Sequence, residues 1–520
     1  MNNRQGSSRI SFAKRNIAFG YLGMLVTAPA SFVLRTIFIH RLSDTLLGIN
    51  STYANILSIL SMAELGIGTA LNYSLYEPAA NHDTSRIKSY MRLYRRSYHV
   101  IGLVVAVLGI LLSPFLQYLV KNPGGVSVGD LRLYYFIFLF NTVSTYFVSY
   151  KYSLVNAEQK NYIQTNIITA TKLCSVFLQI IVLLLFRSFL LYLLADAFVQ
   201  LVQKVFVSIY LDRMYPYLKD KDVKPLEKAE TNEIKRRTGA VLLLKVGDAA
   251  RLQTDALIIS SMIAVAVAGV VDNYQMIVTV AGNFINIIFN SVVSGFGNLV
   301  AKESRSRQYD VYRAYRLLAV WLFGYITCGM YILISPLIRQ WLGPEWLLPS
   351  AAVFCMLTDF YLKGDRNVLN NFRAAAGIFE PDRFLPIIMG IVNLILSVWL
   401  CRRIGVTGIY IGTVVSGLIG NIVRPVKLYR ACFDRPYTDY FRDLLGNAAI
   451  LAAAALICRA IALRVLAAPG IGRLIVMGLI VTAVYNGFFI IAYRKKKEFR
   501  YLADTFGNTV VSVKNRLGHR

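Results

Sequence analysis

Thr84-Ser85-Arg86-Ile87-Lys88-Ser89-Tyr90-Met91-Arg92-Leu93-Tyr94-Arg95 returns about 221 residues downstream as Arg305-Ser306-Arg307-Gln308-Tyr309-Asp310-Val311-Tyr312-Arg313-Ala314-Tyr315-Arg316. The coincident positions include Arg86 with Arg307, Arg92 with Arg313, Tyr94 with Tyr315 and Arg95 with Arg316. Upstream, Gly48 matches Gly269 and Tyr53 matches Tyr274; downstream, after one residue of slippage, Leu111-Leu112-Ser113-Pro114 matches Leu333-Ile334-Ser335-Pro336. Leucine and isoleucine align with any apolar segment, but spaced arginines and a Ser-Pro pair do not. A repeated unit of apolar span, glycine turn, polar span, basic loop and Ser-Pro-bearing span implies two similar halves, the arrangement of many transporters.

Composition sets the solvent. The 520 residues are 56% hydrophobic and 16% charged, with a formal net charge of +28, and the mean hydropathy is +0.52. That is too much apolar surface for one water-facing core, and the apolar runs are of spanning length. The cations lie in short loops between apolar runs, where they set membrane orientation, so the charge does not point to nucleic acid. Six scattered cysteines and four distant histidines give neither a disulfide framework nor metal-ligand spacing. No cofactor is expected. Arg4, Arg9, Lys14 and Arg15 before an apolar run, with Ala28-Pro29-Ala30, imitate a cleavable signal. The run continues to Ile39, however, and is expected to remain as the first helix.

The reading is an all-α polytopic membrane protein of about fourteen transmembrane helices, in two pseudo-symmetric six-helix lobes plus a C-terminal helix pair. The spans fall at roughly 16–39, 49–73, 98–120, 132–155, 163–186, 189–211, 239–263, 271–300, 316–340, 349–373, 384–404, 406–429, 443–463 and 470–493. Residues 1–211 form the N-terminal lobe, 212–238 a cytoplasmic linker, 239–442 the C-terminal lobe, 443–493 a lipid-facing pair, and 494–520 a basic cytoplasmic tail. With the N-terminus inside, roughly 37 lysines and arginines face the cytoplasm against about 7 outside. Both termini are therefore expected on the cytoplasmic side of the inner membrane.

An ionisable side chain within a span is costly unless it faces a bundle interior or a wet cavity. On a helical wheel, Lys245, Asp248, Arg251 and Asp255 of span seven share an arc of about 120°, and Asp359, Lys363, Arg366, Asn370 and Arg373 of span ten one of about 80°. Span eight aligns Asp272, Gln275, Thr279, Asn283, Asn286 and Asn290; span five aligns Thr165, Thr169, Lys172 and Gln179; span six adds Asp196, Gln200 and Gln203. Arg35 and Glu64 come from spans one and two. Internal pairing, such as Lys245 with Asp248 or Asp359 with Lys363, would make these groups glue between helices. The surplus of cations instead points to a polar, base-rich cavity for an anionic head group. Its candidate contacts are Arg35, Lys172, Lys245, Arg251, Lys363, Arg366 and Arg373. Glu64, Asp248, Asp255, Asp272 and Asp359 are candidates for coupling to H+ or Na+. Lys151 and Lys204 read as snorkelling near helix ends. No P-loop, metal-spaced histidine pair or nucleophile elbow occurs, so no enzyme is expected.

Phe32-Val33-Leu34-Arg35-Thr36-Ile37-Phe38, Leu47-Gly48-Ile49-Asn50, Ala63-Glu64-Leu65-Gly66-Ile67-Gly68-Thr69-Ala70 and Leu75-Tyr76-Glu77-Pro78 closely resemble the N-terminal pattern of one family. It comprises the bacterial polysaccharide-biosynthesis, O-antigen-type flippases of the multidrug/oligosaccharidyl-lipid/polysaccharide exporter superfamily. Arg251-Leu252-Gln253-Thr254-Asp255-Ala256-Leu257-Ile258-Ile259 resembles that family's seventh helix. The resemblance implies movement of an undecaprenyl-diphosphate-linked oligosaccharide to the outer leaflet by alternating access, with an ion gradient in some members. The partners it implies are that lipid-linked substrate, membrane lipids and other polysaccharide-assembly proteins. The alternatives are a peptidoglycan-precursor or multidrug exporter of the same superfamily and, from another class, a membrane glycan polymerase. An acid-dominated cavity would favour the drug exporter, and a large outer loop the polymerase.

Overall fold

Helix starts obey the repeat. Asp83 caps a helix over Thr84–Leu112 by accepting from the Arg86 N–H at 3.0 Å, and at the matching position Ser304 caps Arg305–Trp341 by accepting from the Arg307 N–H at 3.4 Å. Each cap satisfies one amide that a helix N-terminus leaves without an intrahelical partner. Asp44–Leu60 and Val265–Lys302 likewise begin at matching residues. The Ser-Pro elements differ. The first helix gives way to a 3₁₀ turn over Ser113–Phe115, whereas Pro336 lies inside the continuous Arg305–Trp341 helix.

The computed structural model describes residues 2–220, 223, 225–228, 230–232, 234, 236, 238–239, 253–375, 384–433 and 435–504. Among these residues the protein is helical, with no strand. Ten helices are long and apolar enough to cross a membrane, by length and composition. The helices Asp44–Leu60, Met62–Ala80, Val128–Ala157 and Ser350–Ala375 occupy the places expected of spans two, four and ten but are shorter or more polar. Most of expected span seven lies outside the described residues; its end is a short helix, Thr254–Ile258, followed by a π turn over Ile259–Ile263.

The chain forms two compact units, Met1–Met276 with Arg383–Gly405, and Ile277–Asp382 with Val406–Arg520. In the first, Asn2–Arg41 packs along Asn161–Phe186, and Val128–Ala157 is the hub on which Thr84–Leu112, Phe189–Met214, Asp44–Leu60 and Met62–Ala80 converge. In the second, Arg305–Trp341 is the hub for Ser350–Ala375, Thr438–Val465 and Ile471–Tyr493, while Ser350–Ala375 also packs on Val406–Cys432.

The two last helices were expected to face lipid; one face of each leaves Leu456, Leu463, Ile475, Leu479 and Ile491 exposed. The other face packs on Arg305–Trp341 through Ala454, Cys458, Met477, Val481, Tyr485 and Phe489. A methyl on Gly324 would lie 2.0 Å from the Tyr485 Oη, so the missing side chain there lets the last helix approach. In lipid the solvent is as apolar as leucine, so such close packing and the Tyr485 hydroxyl's 3.0 Å bond to the Val320 carbonyl carry the association.

Candidate functional site

A cavity of about 480 Å³ opens within the first unit. Its wall combines residues from Asp44–Leu60 and Met62–Ala80 (Asn50, Glu64), Val128–Ala157 (Asn141, Tyr146), Asn161–Phe186 (Lys172, Gln179) and Phe189–Met214 (Asp196, Gln200). These helices present apolar residues outward, Phe177, Leu185 and Phe198 among the most exposed, so the polar lining faces inward while lipid-compatible surface faces out.

The wall residues are held by a second set of bonds. Gln200 donates to Asp196 at 2.6 Å. Lys204 does not snorkel. It is 6% exposed, and its ammonium donates to the Asn141 carbonyl and the Ser144 hydroxyl, both at 2.7 Å. The expectation failed because its helix is covered at that level by Val128–Ala157, and burial rather than depth decides where a lysine points. Lys151 bonds Ser208 and pairs with Asp212 at 2.6 Å near a helix end.

On this wall Glu64 and Asp196 stand with Lys172, and Lys204 lies directly behind Asn141. Of the expected site residues, the first unit therefore brings Lys172 and Glu64 to one cavity. Arg35 and Asp272 are elsewhere in the same unit. Arg35 Nη2 lies 2.7 Å from Asp272 Oδ2, and the Ser51 hydroxyl donates to Asp272 Oδ1 at 3.2 Å. Tyr192, on the cavity wall, packs edge-on against Phe38, which is one helical turn from Arg35. Asp255 sits on the short Thr254–Ile258 helix, which packs on Asp44–Leu60 and Leu385–Ile404. Lys245, Asp248 and Arg251 lie outside the described residues.

In the second unit the span-ten residues form a buried cluster. Asp359 accepts from Arg366 Nη2 at 3.2 Å and pairs with Lys363 at 2.9 Å. Arg366 Nη1 donates to the Gly417 carbonyl at 2.7 Å and to Asn421 at 2.8 Å, so this guanidinium clamps the Ser350–Ala375 helix to Val406–Cys432. Lys363 keeps 42% of its side chain exposed, against 5% for Arg366. Arg373 lies near the end of the same helix. Asn286, from the polar line of span eight, accepts from Asn367 at 3.1 Å.

Sequence reasoning missed the deepest charges. Arg316 and Asp365 pair at 2.6 Å with side chains only 4% and 3% exposed. Arg316 also donates to the Tyr440 carbonyl at 3.1 Å and stacks 3.9 Å from that ring's centroid, while the Tyr440 hydroxyl donates to Asp365. Around them Arg313 pairs with Asp443 at 3.2 Å and with Glu498 at 2.9 Å. Asp365 falls off the polar arc of its helix, and its partner is 49 residues upstream, so no periodicity announces the pair. Among the described residues no group of three or more His, Cys, Asp or Glu is placed to hold a metal ion.

The fold is shared with solved exporters. The chain superposes on the lipid II flippase MurJ in an inward closed conformation with a TM-score of 0.61 at 13% identity, covering 90% of this chain and 99% of that one. A point mutant of the Vibrio cholerae MATE transporter VcmN gives 0.57 at 13% identity, covering 84% and 100%. A MOP superfamily transporter from Pyrococcus furiosus gives 0.53 at 14% identity, covering 79% and 93%. No curated protein matches the chain by sequence. A family description does: residues 13–294 fit the polysaccharide biosynthesis protein model. That match takes in every helix that walls the cavity and more than half of the chain, which belongs to the polysaccharide biosynthesis protein family.

Proposed function

We propose that the protein is a flippase carrying an undecaprenyl-diphosphate-linked oligosaccharide across the cytoplasmic membrane by alternating access, with both termini cytoplasmic and fourteen spans in two six-helix lobes plus a pair. The observation that carries this reading is the cavity of about 480 Å³ with Lys172 on its wall, inside helices whose outer faces suit lipid. A lipid-linked sugar needs such a surface: hydroxyl and amide groups for the sugar, a cation for the diphosphate, and an apolar exterior along which the polyprenyl chain remains in the bilayer. Asn50, Asn141, Gln179 and Gln200 supply the first and Lys172 the second. In the second unit Lys363, with its half-exposed ammonium, is the counterpart, while Arg366 fixes Asp359 against it. Lys245, Arg251 and Arg373 complete the proposed cationic set, and Glu64, Asp248, Asp255 and Asp359 the proposed coupling acids. The MurJ neighbour is a lipid II flippase, and the family is one of polysaccharide biosynthesis; both support a lipid-linked sugar and a transporter rather than an enzyme.

The test is flipping of a fluorescent undecaprenyl-diphosphate oligosaccharide in proteoliposomes. Lys172→Ala should lower the rate at least about tenfold, equivalent to losing one charge-assisted bond of about 1.5–3 kcal/mol, and Lys172→Arg should recover most of it. An unchanged rate in Lys172→Ala removes the diphosphate from this wall.

A second reading, a multidrug exporter of the same superfamily, is favoured by Glu64 and Asp196, which suit an organic cation. Reverse polarity of the binding pocket suggests a different function for the Pyrococcus furiosus transporter, so pocket charge is a reasonable discriminator. Transport of a cationic dye that competes with no lipid-linked sugar would select this second reading.

A further inference from the structure

Ser51 and Asp272 are hydrogen-bonded to one another and stand 221 residues apart, the offset of the internal repeat. Two repeat-related positions can touch only where a local two-fold axis passes between them, and the neighbouring contacts confirm the reciprocity. A methyl on Gly48 would lie 1.8 Å from the Val265 carbonyl oxygen; a methyl on Gly269, the repeat partner of Gly48, would lie 2.6 Å from the carbonyl oxygen of Asp44, the repeat partner of Val265. Glycine is therefore required twice, for one reason: the first turns of Asp44–Leu60 and Val265–Lys302 cross backbone to backbone.

Further bonds surround the crossing, all at the helix ends on the same face. The Lys121 N–H donates to the Ser260 carbonyl at 3.0 Å, and the Val265 N–H donates back to the Lys121 carbonyl at 3.0 Å. The Lys121 ammonium donates to the Met262 carbonyl at 2.9 Å, and the Ser260 hydroxyl to the Leu119 carbonyl at 2.7 Å. The Arg35–Asp272 pair joins the end of Asn2–Arg41 to the start of Val265–Lys302, and Phe38, one turn from Arg35, packs on Tyr192 of the cavity wall. Among the described residues Arg35 Nη1, buried there, meets no acceptor, so the pair is not saturated. The π turn over Ile259–Ile263 presents the Ser260 and Met262 carbonyls, and such turns commonly mark functional irregularities.

We propose that this crossing is the outer latch of the transporter. Gly48, Gly269, Arg35 and Asp272 hold the face opposite the N-terminus shut, and they must part for the cavity to open outward. Arg35 and Asp272 are positioning residues in this account. They act through the crossing rather than on the substrate, and each half-cycle breaks and remakes their bond. The latch rests on the flippase reading only for its direction; the closure itself is a property of the protein without substrate.

Amide hydrogen exchange on the purified full chain in lipid nanodiscs tests it, because the Lys121 and Val265 amides are bonded only across the latch. Gly48→Ala should speed exchange in peptides covering 119–126 and 259–266 at least about tenfold, a shift of about 1.4 kcal/mol in the opening equilibrium, while peptides from Arg305–Trp341 remain unchanged. Asp272→Ala should do the same and guards against failure of the first variant to fold. The double exchange Arg35→Asp with Asp272→Arg should restore protection, since it rebuilds the pair with reversed sense. Wild-type exchange in both single variants overturns the latch, as does a double exchange no better protected than Asp272→Ala. Flipping is measured in parallel. Lost flipping with wild-type exchange assigns Arg35 and Asp272 to the substrate instead, and an intact latch with no lipid-linked sugar transported overturns the flippase reading alone.

Discussion

Replacing Asp365 by alanine removes the carboxylate hydrogen-bonded to a guanidinium whose side chain is 4% exposed. Arg316 cannot neutralise itself by losing a proton, and in the variant its partners would be the Tyr440 carbonyl, the Tyr440 ring and Asp443, 3.9 Å from Nη1. Breaking a buried pair from one side costs about 3–5 kcal/mol, because the remaining charge is left uncompensated in a low-dielectric surround. Removing both charges is another matter. Arg316→Met with Asp365→Leu discards the desolvation cost together with the attraction and leaves chiefly the Tyr440 hydroxyl without an acceptor, worth about 1–3 kcal/mol. Asp359→Ala provides the internal comparison. Arg366 would keep Gly417 and Asn421, and Lys363 is solvent-screened, so about 1–3 kcal/mol is expected. Equilibrium unfolding of the purified chain in mixed micelles should rank Asp365→Ala as the most damaging of the three. A loss below about 1 kcal/mol in Asp365→Ala, or a double variant as unstable as the single, would refute the claim that this pair organises the second unit.

Two further expectations follow from packing and topology. Gly324→Ala must displace the Tyr485 ring and its bond to Val320, so the same unfolding measurement should show a loss of about 1–3 kcal/mol; a neutral result would mean that the last helix is not seated on Arg305–Trp341 as described. Asp220 lies just beyond the sixth expected span with 57% of its side chain exposed. Asp220→Cys, in a chain whose exposed Cys174 is replaced by serine, should react with a membrane-impermeant thiol reagent only after the cells are permeabilised. Reaction in intact cells would invert the proposed topology.

The repeat was legible as matched residues, but not what they do: Gly48 and Gly269 read as a turn and instead lie inside Asp44–Leu60 and Val265–Lys302, where they admit a backbone, and Asp83 and Ser304 cap helices that begin well before the apolar spans expected there. The pairing of charges was less legible. A helical wheel sorts residues by face but does not name what the face meets, so Asp359, Lys363 and Arg366 were found together while Arg316 and Asp365, on different helices, were not. Lys204 read as a surface lysine because its covering helix, Val128–Ala157, joins it only by the fold. Nor does a count of cations along the sequence say which carboxylates converge: Glu64 and Asp196, from separate helices, share the first unit's cavity wall.

The most informative positions are those where the halves stop matching. Arg95 is exposed, while its repeat partner Arg316 is buried beneath Tyr440, because the second unit carries the Thr438–Val465 helix that covers it. Ser51 faces Asp272 across the local two-fold, so one half offers a hydroxyl and the other a carboxylate. Only the carboxylate can hold Arg35, whose own repeat position is Ala256. A perfectly symmetric crossing would have no charged bond to break and would depend on glycine packing alone. The unmatched pair adds a contact of 2.7 Å, part-buried yet unsaturated at Arg35 Nη1, whose strength responds to any charge brought to the adjoining wall. Substitution at the two glycines should therefore alter how far the face opens, and substitution at Arg35 or Asp272 how its opening answers to what occupies the cavity.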